Sequence, residues 1–172
     1  NGHMHAEETY RRVSDNTIEL ELADFTSRRY YRIISVDNDV FSFKDVQFEK
    51  NDFPLIHITW PKRADVLSSS EKWRGMKETN IIRALVFNDA PVKGNNLRVF
   101  IDDKLVASSM TKMDIFNQRF NSTEEFGGLF QTEHNMEKYQ SGTHDLRVEL
   151  LNNGKEIAKD QIVFSLDGTT SK

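Results

Sequence analysis

Near the end of the chain, Leu146, Val148 and Leu150 alternate with Asp145, Arg147 and Glu149, and Asn152-Asn153-Gly154 follows. A period of two puts the apolar side chains on one face of an extended strand and the charged ones on the other. The Asn-Gly turn needs positive φ, and Ile157 to Leu166 then runs back. These residues make a β-hairpin, and a hairpin with one apolar face belongs in a layered, mainly β fold.

Upstream segments fit the same scheme. From Pro54 the chain shows Leu55 to Trp60 (LIHITW), with Ile56, Ile58 and Trp60 on one face, and Pro61 ends the run. Ile81 to Phe87 (IIRALVF) is the most apolar strand and suits a central position. Leu97, Val99 and Ile101 alternate with Arg98 and Phe100, and Asp102-Asp103 turns the chain into Leu105 to Ala107. Between them, Lys62 to Thr79 reads as polar loop with one short helical turn around Glu71 to Met76. Ile115 to Gln131 carries Phe116, Phe120, Phe126 and Phe130 around a Gly127-Gly128 break, and these rings are expected in a core. Six or seven strands in roughly 115 residues predict a two-sheet sandwich of immunoglobulin-like type. The cysteine pair and Trp spacing of antibody domains are missing, so the pattern predicts the architecture and not membership of that family.

A second region precedes the sandwich. Thr17 to Asp45 holds three strand-like runs, Ile18 to Leu22, Tyr31 to Val36 and Val40 to Phe43, expected to form a three-strand meander. Asp24, Thr26 and Ser27 mark one reversal and Asp37-Asn38-Asp39 the next. Charged residues Glu49 to Asp52 lead to Pro54, which places a domain boundary near Asn51.

Hydrophobic residues make up 37% of the chain, but twelve Phe, four Tyr and two Trp supply bulk for a core. A net charge of -4 argues against a surface for nucleic acid or anionic membrane, whose binding rests on many Lys and Arg contacts. Cysteine is absent, which excludes disulfides, thiolate metal sites and a cysteine nucleophile. No apolar run approaches the roughly 20 residues of a membrane span, and no charged-then-apolar leader opens the chain, so a soluble polypeptide is expected.

Gly2-His3-Met4-His5 is the arrangement with metal-ligand character. Two imidazoles one residue apart can enter a looped metal site, and neutral imidazole suits Zn, Mn and Fe. Its alternative reading is that Gly2-His3-Met4 is the remnant of a cleaved expression tag on a stand-alone β-sandwich binding module. Gly142-Thr143-His144-Asp145 imitates a Gly-Asn-His-Asp motif but opens a strand, so its role is expected to be structural, as are those of His57 and His134. Arg28-Arg29-Tyr30-Tyr31-Arg32 mixes cations with aromatics, and Arg32 is expected on a solvated face of the meander. Asn121-Ser122-Thr123 is an N-glycosylation sequon, relevant where this part faces a secretory lumen.

The order of GHMH, then IELELAD, then RRYYRIISVDNDVFSFKD, then a sandwich containing TNIIRALVF and YQSGTHDLRVELLNNGKEIAKDQIVFSL, resembles the transmembrane protein 62 family across nearly the whole chain. That family is similar to calcineurin-like metallophosphoesterases with an appended β-sandwich and membrane spans beyond it. The resemblance implies that residues 1–50 are the closing strands of a metallophosphoesterase domain and that 54–167 are an immunoglobulin-like structural or interaction module; residues 168–172, from their composition and terminal place, are expected to be a disordered tail. It makes His3 and His5 metal ligands, one to each of two divalent ions (Mn, Zn or Fe) in the parent hydrolase. The family's earlier Asp, Asn and His motifs do not occur in this chain, so the fragment is expected to hold no cofactor and to be inactive. Its implied partners are the upstream catalytic domain of the same parent and a protein bound by the sandwich, with no nucleic acid and no membrane insertion of its own. Membrane association, at an endomembrane or the cell surface, would come through the parent.

Overall fold

The structure, a computed structural model, describes residues 8–11, 18–21, 29–37, 40–48, 53–67, 80–88, 92–93, 96–113 and 127–169. Its strands are β1 (Glu8–Arg11), β2 (Ile18–Glu21), β3 (Tyr30–Asp37), β4 (Val40–Gln47), β5 (Leu55–Trp60), β6 (Ile81–Phe87), β7 (Leu97–Ile101), β8 (Lys104–Ala107), β9 (Thr111–Met113), β10 (Gly127–Glu133), β11 (Thr143–Asn152) and β12 (Lys155–Ser165).

Eight of these form two antiparallel sheets, ordered β5-β6-β10-β9 and β12-β11-β7-β8. This is the A-B-E-D sheet of an immunoglobulin-like sandwich opposed to G-F-C-C′. The core is built by the period-two faces of the sequence. Ile56, Ile58 and Trp60 join Ile82, Ala84 and Val86 within one layer, and Leu97, Val99, Ile101, Leu146, Val148, Leu150, Ile162 and Phe164 supply the other. Phe130 and Met136 are fully buried in the same core. The closing hairpin follows expectation: Asn152 pairs with Lys155 across Asn153 and Gly154, both at positive φ, as a two-residue turn with matching twist requires. Asp102 and Asp103, also at positive φ, turn β7 into β8.

Several expectations are corrected. The sandwich has eight described strands rather than six or seven, because β9 precedes the Phe-rich run and β10 begins at its Gly127-Gly128 pair. Gly127-Gly128 is not a break but the start of β10, and Gly127 pairs with Phe87. A Cβ on Gly127 would meet the Val86 carbonyl oxygen at 2.2 Å, so the two backbones approach where only glycine fits. Residues 62–67 are not a solvated loop: Lys62, Ala64, Val66 and Leu67 are buried. Ala64–Val66 forms a 3-10 turn, and Arg63 bridges to Phe164 of β12. The expected helical turn at Glu71 to Met76, and Phe116, Phe120, Phe126 and Asn121, lie outside the described residues.

The three-strand meander does not form as expected. β2 pairs with the preceding β1, in register Glu8 to Glu21, and β3 pairs with β4 alone. The reason lies in chain direction and turn length. Asp37 and Val40 are partners across a two-residue turn, which closes a tight hairpin, whereas eight residues part β2 from β3 (22–29). An isolated two-stranded hairpin is marginal in water and needs a packing partner. For β3–β4 that partner is β5. All six residues of β5 are buried: one face looks into the sandwich and the other is covered by the hairpin.

Gly127 and Gly154 give a paired test of this backbone. Gly127→Ala, strained at φ +145° and driven into Val86, is expected to cost about 2 kcal/mol or more. Gly154→Ala, at φ +79° with open space around it, should cost about 1 kcal/mol. Urea unfolding of both variants decides, and equal losses would contradict the close approach.

Candidate functional site

His3 and His5 lie outside the described residues. Among the described residues no group of three or more His, Cys, Asp or Glu could hold a metal ion. Functional geometry is instead found where polar groups are buried together. Ser42, His57 and Thr59 are three of the buried polar residues, and all three sit where the β3–β4 hairpin meets β5.

In the hairpin register Ser35 lies opposite Ser42, so both hydroxyls leave the same face. Their oxygens are 2.6 Å apart, and they lie 3.0 Å and 3.1 Å from Nε2 of His57. The His57 pKa is lowered to about 4, chiefly by burial; Asp160 pulls it up, while Lys44 and Arg63 push it down. The ring is therefore neutral at ordinary pH. A serine beside a neutral imidazole suggests a nucleophile and its base. Here the imidazole and Ser42 are sealed, at 2% and 1% exposed, so no substrate could reach the Ser42 hydroxyl or the base. The triangle is a lock between two sheets.

Charged groups flank it on both sides. Lys44 of β4 bonds to the Asp160 carboxylate of β12, whose other oxygen accepts the Ile58 N–H at 2.7 Å. Asp37, at the end of β3, accepts from Arg83 of β6 at 2.6 Å and from the Thr59 hydroxyl at 3.1 Å. Arg83 also donates to Gln131 of β10 at 2.9 Å. The hairpin thus gives one cation to a sandwich anion and one anion to a sandwich cation. This reciprocal arrangement favours one register, because a slipped hairpin would leave half-buried charges uncompensated. Asp160 also occupies the outward N–H of an edge strand, which blocks further strand pairing there.

The hairpin's other face corrects the reading of Arg32. Its side chain is 6% exposed, not solvated, and makes a two-pronged pair with Asp45, its cross-strand partner. Arg32 and Arg63 stack on the Phe43 ring, their guanidinium carbons 4.7 Å and 4.6 Å from its centre. Arg63 also donates to the Phe43 carbonyl at 3.4 Å. Farther along this face Ile34 and Val36 are 55% and 72% exposed.

The remaining histidines lie at the end of the sandwich near the β7–β8 turn. Tyr139 sits four residues before β11, and its hydroxyl meets His134 Nε2 at 3.1 Å. Burial, helped by Lys138, lowers the His134 pKa. His144 bonds through Nδ1 to Asp102 at 2.7 Å and through Nε2 to the Gln140 carbonyl at 3.0 Å. Burial opposes its charge, but these two bonds, with the charges of Asp102 and Asp145, outweigh it and hold its pKa above the ordinary value.

Sequence reasoning missed the lock. A signal was present: Ser35 and Ser42 stand at equal distances from the Asn38-Asp39 turn, and LIHITW carries His57 and Thr59, but no formal charge, on the face its alternation leaves over.

The depressed His57 pKa has a consequence for stability. The unfolded ring binds its proton near pH 6.5 and the folded ring near 4, so the lock's contribution is full above pH 6.5 and is lost as pH falls through 4. The swing is on the order of 3 kcal/mol. Urea unfolding between pH 7.5 and 4.5 should show His57→Gln with a flatter acid limb than the unmodified chain, and parallel limbs would contradict a neutral buried ring.

No solved structure matches the chain. Among the described residues no helix is long and apolar enough to cross a membrane. A family model for the TMEM62 Ig-like domain matches residues 50–170. Transmembrane protein 62 of Mus musculus is 30% identical over 155 residues, which take in 86% of this chain and 21% of that protein. The chain thus spans about a fifth of the length of this relative. It belongs to the transmembrane protein 62 family, and its sandwich is that family's immunoglobulin-like domain.

Proposed function

We propose that this chain is the coupling module of a metal-dependent phosphoesterase. In this reading residues 1–50 close a calcineurin-like catalytic domain, and the sandwich holds that domain in a fixed position relative to the membrane-associated parts of the parent. The observation that carries it is the hairpin's two-sided character. One face is bound to the sandwich by a buried Ser42–His57 contact and half-buried, charge-matched pairs, while the other presents Ile34 and Val36 outward. Exposed β-branched residues on a hairpin bound so firmly suit a sheet that continues into another layer. The Gly-His-Met-His motif supports the phosphoesterase part of this reading, and the name of the mouse relative supports only the membrane part.

The catalytic chemistry belongs to the longer protein. His3 and His5 would each hold one of two divalent ions, and such a pair would supply Lewis-acid activation of water and of the phosphoryl group. The other ligands would come from residues outside this chain. The chain alone is expected to be inactive, its role being orientation of the catalytic domain.

A longer family protein that includes the preceding region tests the reading. With Mn²⁺ it should hydrolyse bis(p-nitrophenyl) phosphate, and His3→Ala or His5→Ala should reduce the rate at least about 100-fold. The present chain should show no turnover under the same conditions. Unchanged activity in both histidine variants, or turnover by the short chain, would overturn the assignment.

A further inference from the structure

We propose that His144, Asp102 and Gln140 form a proton-operated clasp, closed when His144 carries two ring protons and open when it carries one. The clasp binds the loop 134–142 to the start of β11 and to the β7–β8 turn.

The geometry is of acceptors on both sides. Nδ1 faces an Asp102 carboxylate oxygen at 2.7 Å, and Nε2 faces the Gln140 carbonyl oxygen at 3.0 Å. Neither oxygen can donate, so both contacts are hydrogen bonds only when both ring nitrogens carry hydrogen. A neutral ring has one N–H, and its second nitrogen would then face an acceptor with a lone pair. The carboxylate is the stronger acceptor, so the remaining proton stays on Nδ1 and the Gln140 contact is released.

The groups around the ring favour the charged form. From the β7–β8 turn come Asp102 and, beyond it, Asp103, the latter paired with Arg147 at 2.6 Å. Asp145 follows His144 on β11 and accepts from Gln161 at 3.3 Å. From the loop come the Tyr139 ring, edge-on at 5.4 Å, and His134, bonded to the Tyr139 hydroxyl. Lys138 lies over Tyr139 at 5.5 Å. From β12 the uncharged Phe164 ring packs against His144, at 5.8 Å. Two carboxylates thus act directly on the imidazole, while Lys138 engages the aromatic ring beside it.

What the clasp controls follows from its neighbours. The Gly142 carbonyl accepts the Leu166 N–H at 2.9 Å, so the loop that Gln140 anchors also holds the chain as it leaves β12. Asp102 accepts the Asp145 N–H at 3.1 Å through its other oxygen, which keeps the carboxylate in place in either state. Release is therefore confined to the loop and the β12 exit, and the sandwich core is untouched. The sign is opposite to that of His57: the clasp is complete below pH 6.5 and opens as pH rises through the raised His144 value.

The test is a pH titration by NMR, following the His144 ring nitrogens together with the backbone amides of Gly142 and Leu166. The ring should titrate above about 6.5, with both amides changing at its midpoint. Asp102→Asn replaces the acceptor with a group able to donate to Nδ1, so a neutral ring can keep its Nε2–H on Gln140. In that variant the midpoint should fall by at least about one unit, and the two amides should lose their response above neutrality. Titration of the unmodified chain at or below the free imidazole value would overturn the proposal, as would amides of Gly142 and Leu166 that pass through the His144 midpoint unchanged. The unmodified chain alone decides between these outcomes even if the variant fails to fold.

Discussion

Burial of β5 on both faces is the constraint on which the rest depends. An edge strand that reads Leu-Ile-His-Ile-Thr-Trp with every residue out of water needs one layer for its isoleucines and another for His57 and Thr59. The sandwich supplies the first layer through hydrophobic packing, which is tolerant of exact partner identity. The hairpin supplies the second through hydrogen bonds and ion pairs, which are not. His57, Thr59 and Asp160 each find a partner on the hairpin, and a missing partner would leave a desolvated group uncompensated. Such contacts add little net stability relative to apolar packing, but they permit one orientation only. That suits the proposed role, in which the junction sets an angle.

The two parts of the molecule were not equally legible in the sequence. The sandwich could be read because its strands alternate cleanly and end in turn residues: β5, β6, β7 and the β11–β12 hairpin follow directly from period-two faces and from Asn153-Gly154. β10 was hidden because Gly127 and Gly128 look like punctuation, whereas at Gly127 the backbone of β6 approaches so closely that a side chain has no room. The 3-10 turn was hidden because Lys62, Arg63 and Asp65 surround Ala64, Val66 and Leu67, and local polarity masks three buried apolar residues. Arg32 misled for a related reason. Long cationic side chains are usually solvated, and only a cross-strand Asp45 and the Phe43 ring explain why this one is buried.

The polar lock was the least legible feature, since its members are 22 and 15 residues apart in the case of Ser35 and Ser42 with His57, and 116 apart for Lys44 and Asp160. No local pattern joins them. Half of it lies outside the segment that the family's immunoglobulin-like description covers, because Ser35, Asp37, Ser42 and Lys44 precede residue 50. The immunoglobulin-like domain of this chain is thus structurally continuous with what comes before it, and in the proposed role this continuity transmits the position of one domain to the next.

Native-state amide hydrogen exchange of the unmodified chain tests that continuity most directly. If the hairpin and sandwich are one cooperative body, the protected amides of β3 and β4 should exchange with the same free energy as those of β5 and β6, and all should respond alike to low denaturant. Exchange of the hairpin amides through a separate, lower-energy opening while β5 and β6 stay protected would contradict the account, because the lock would then be a contact between two independent pieces.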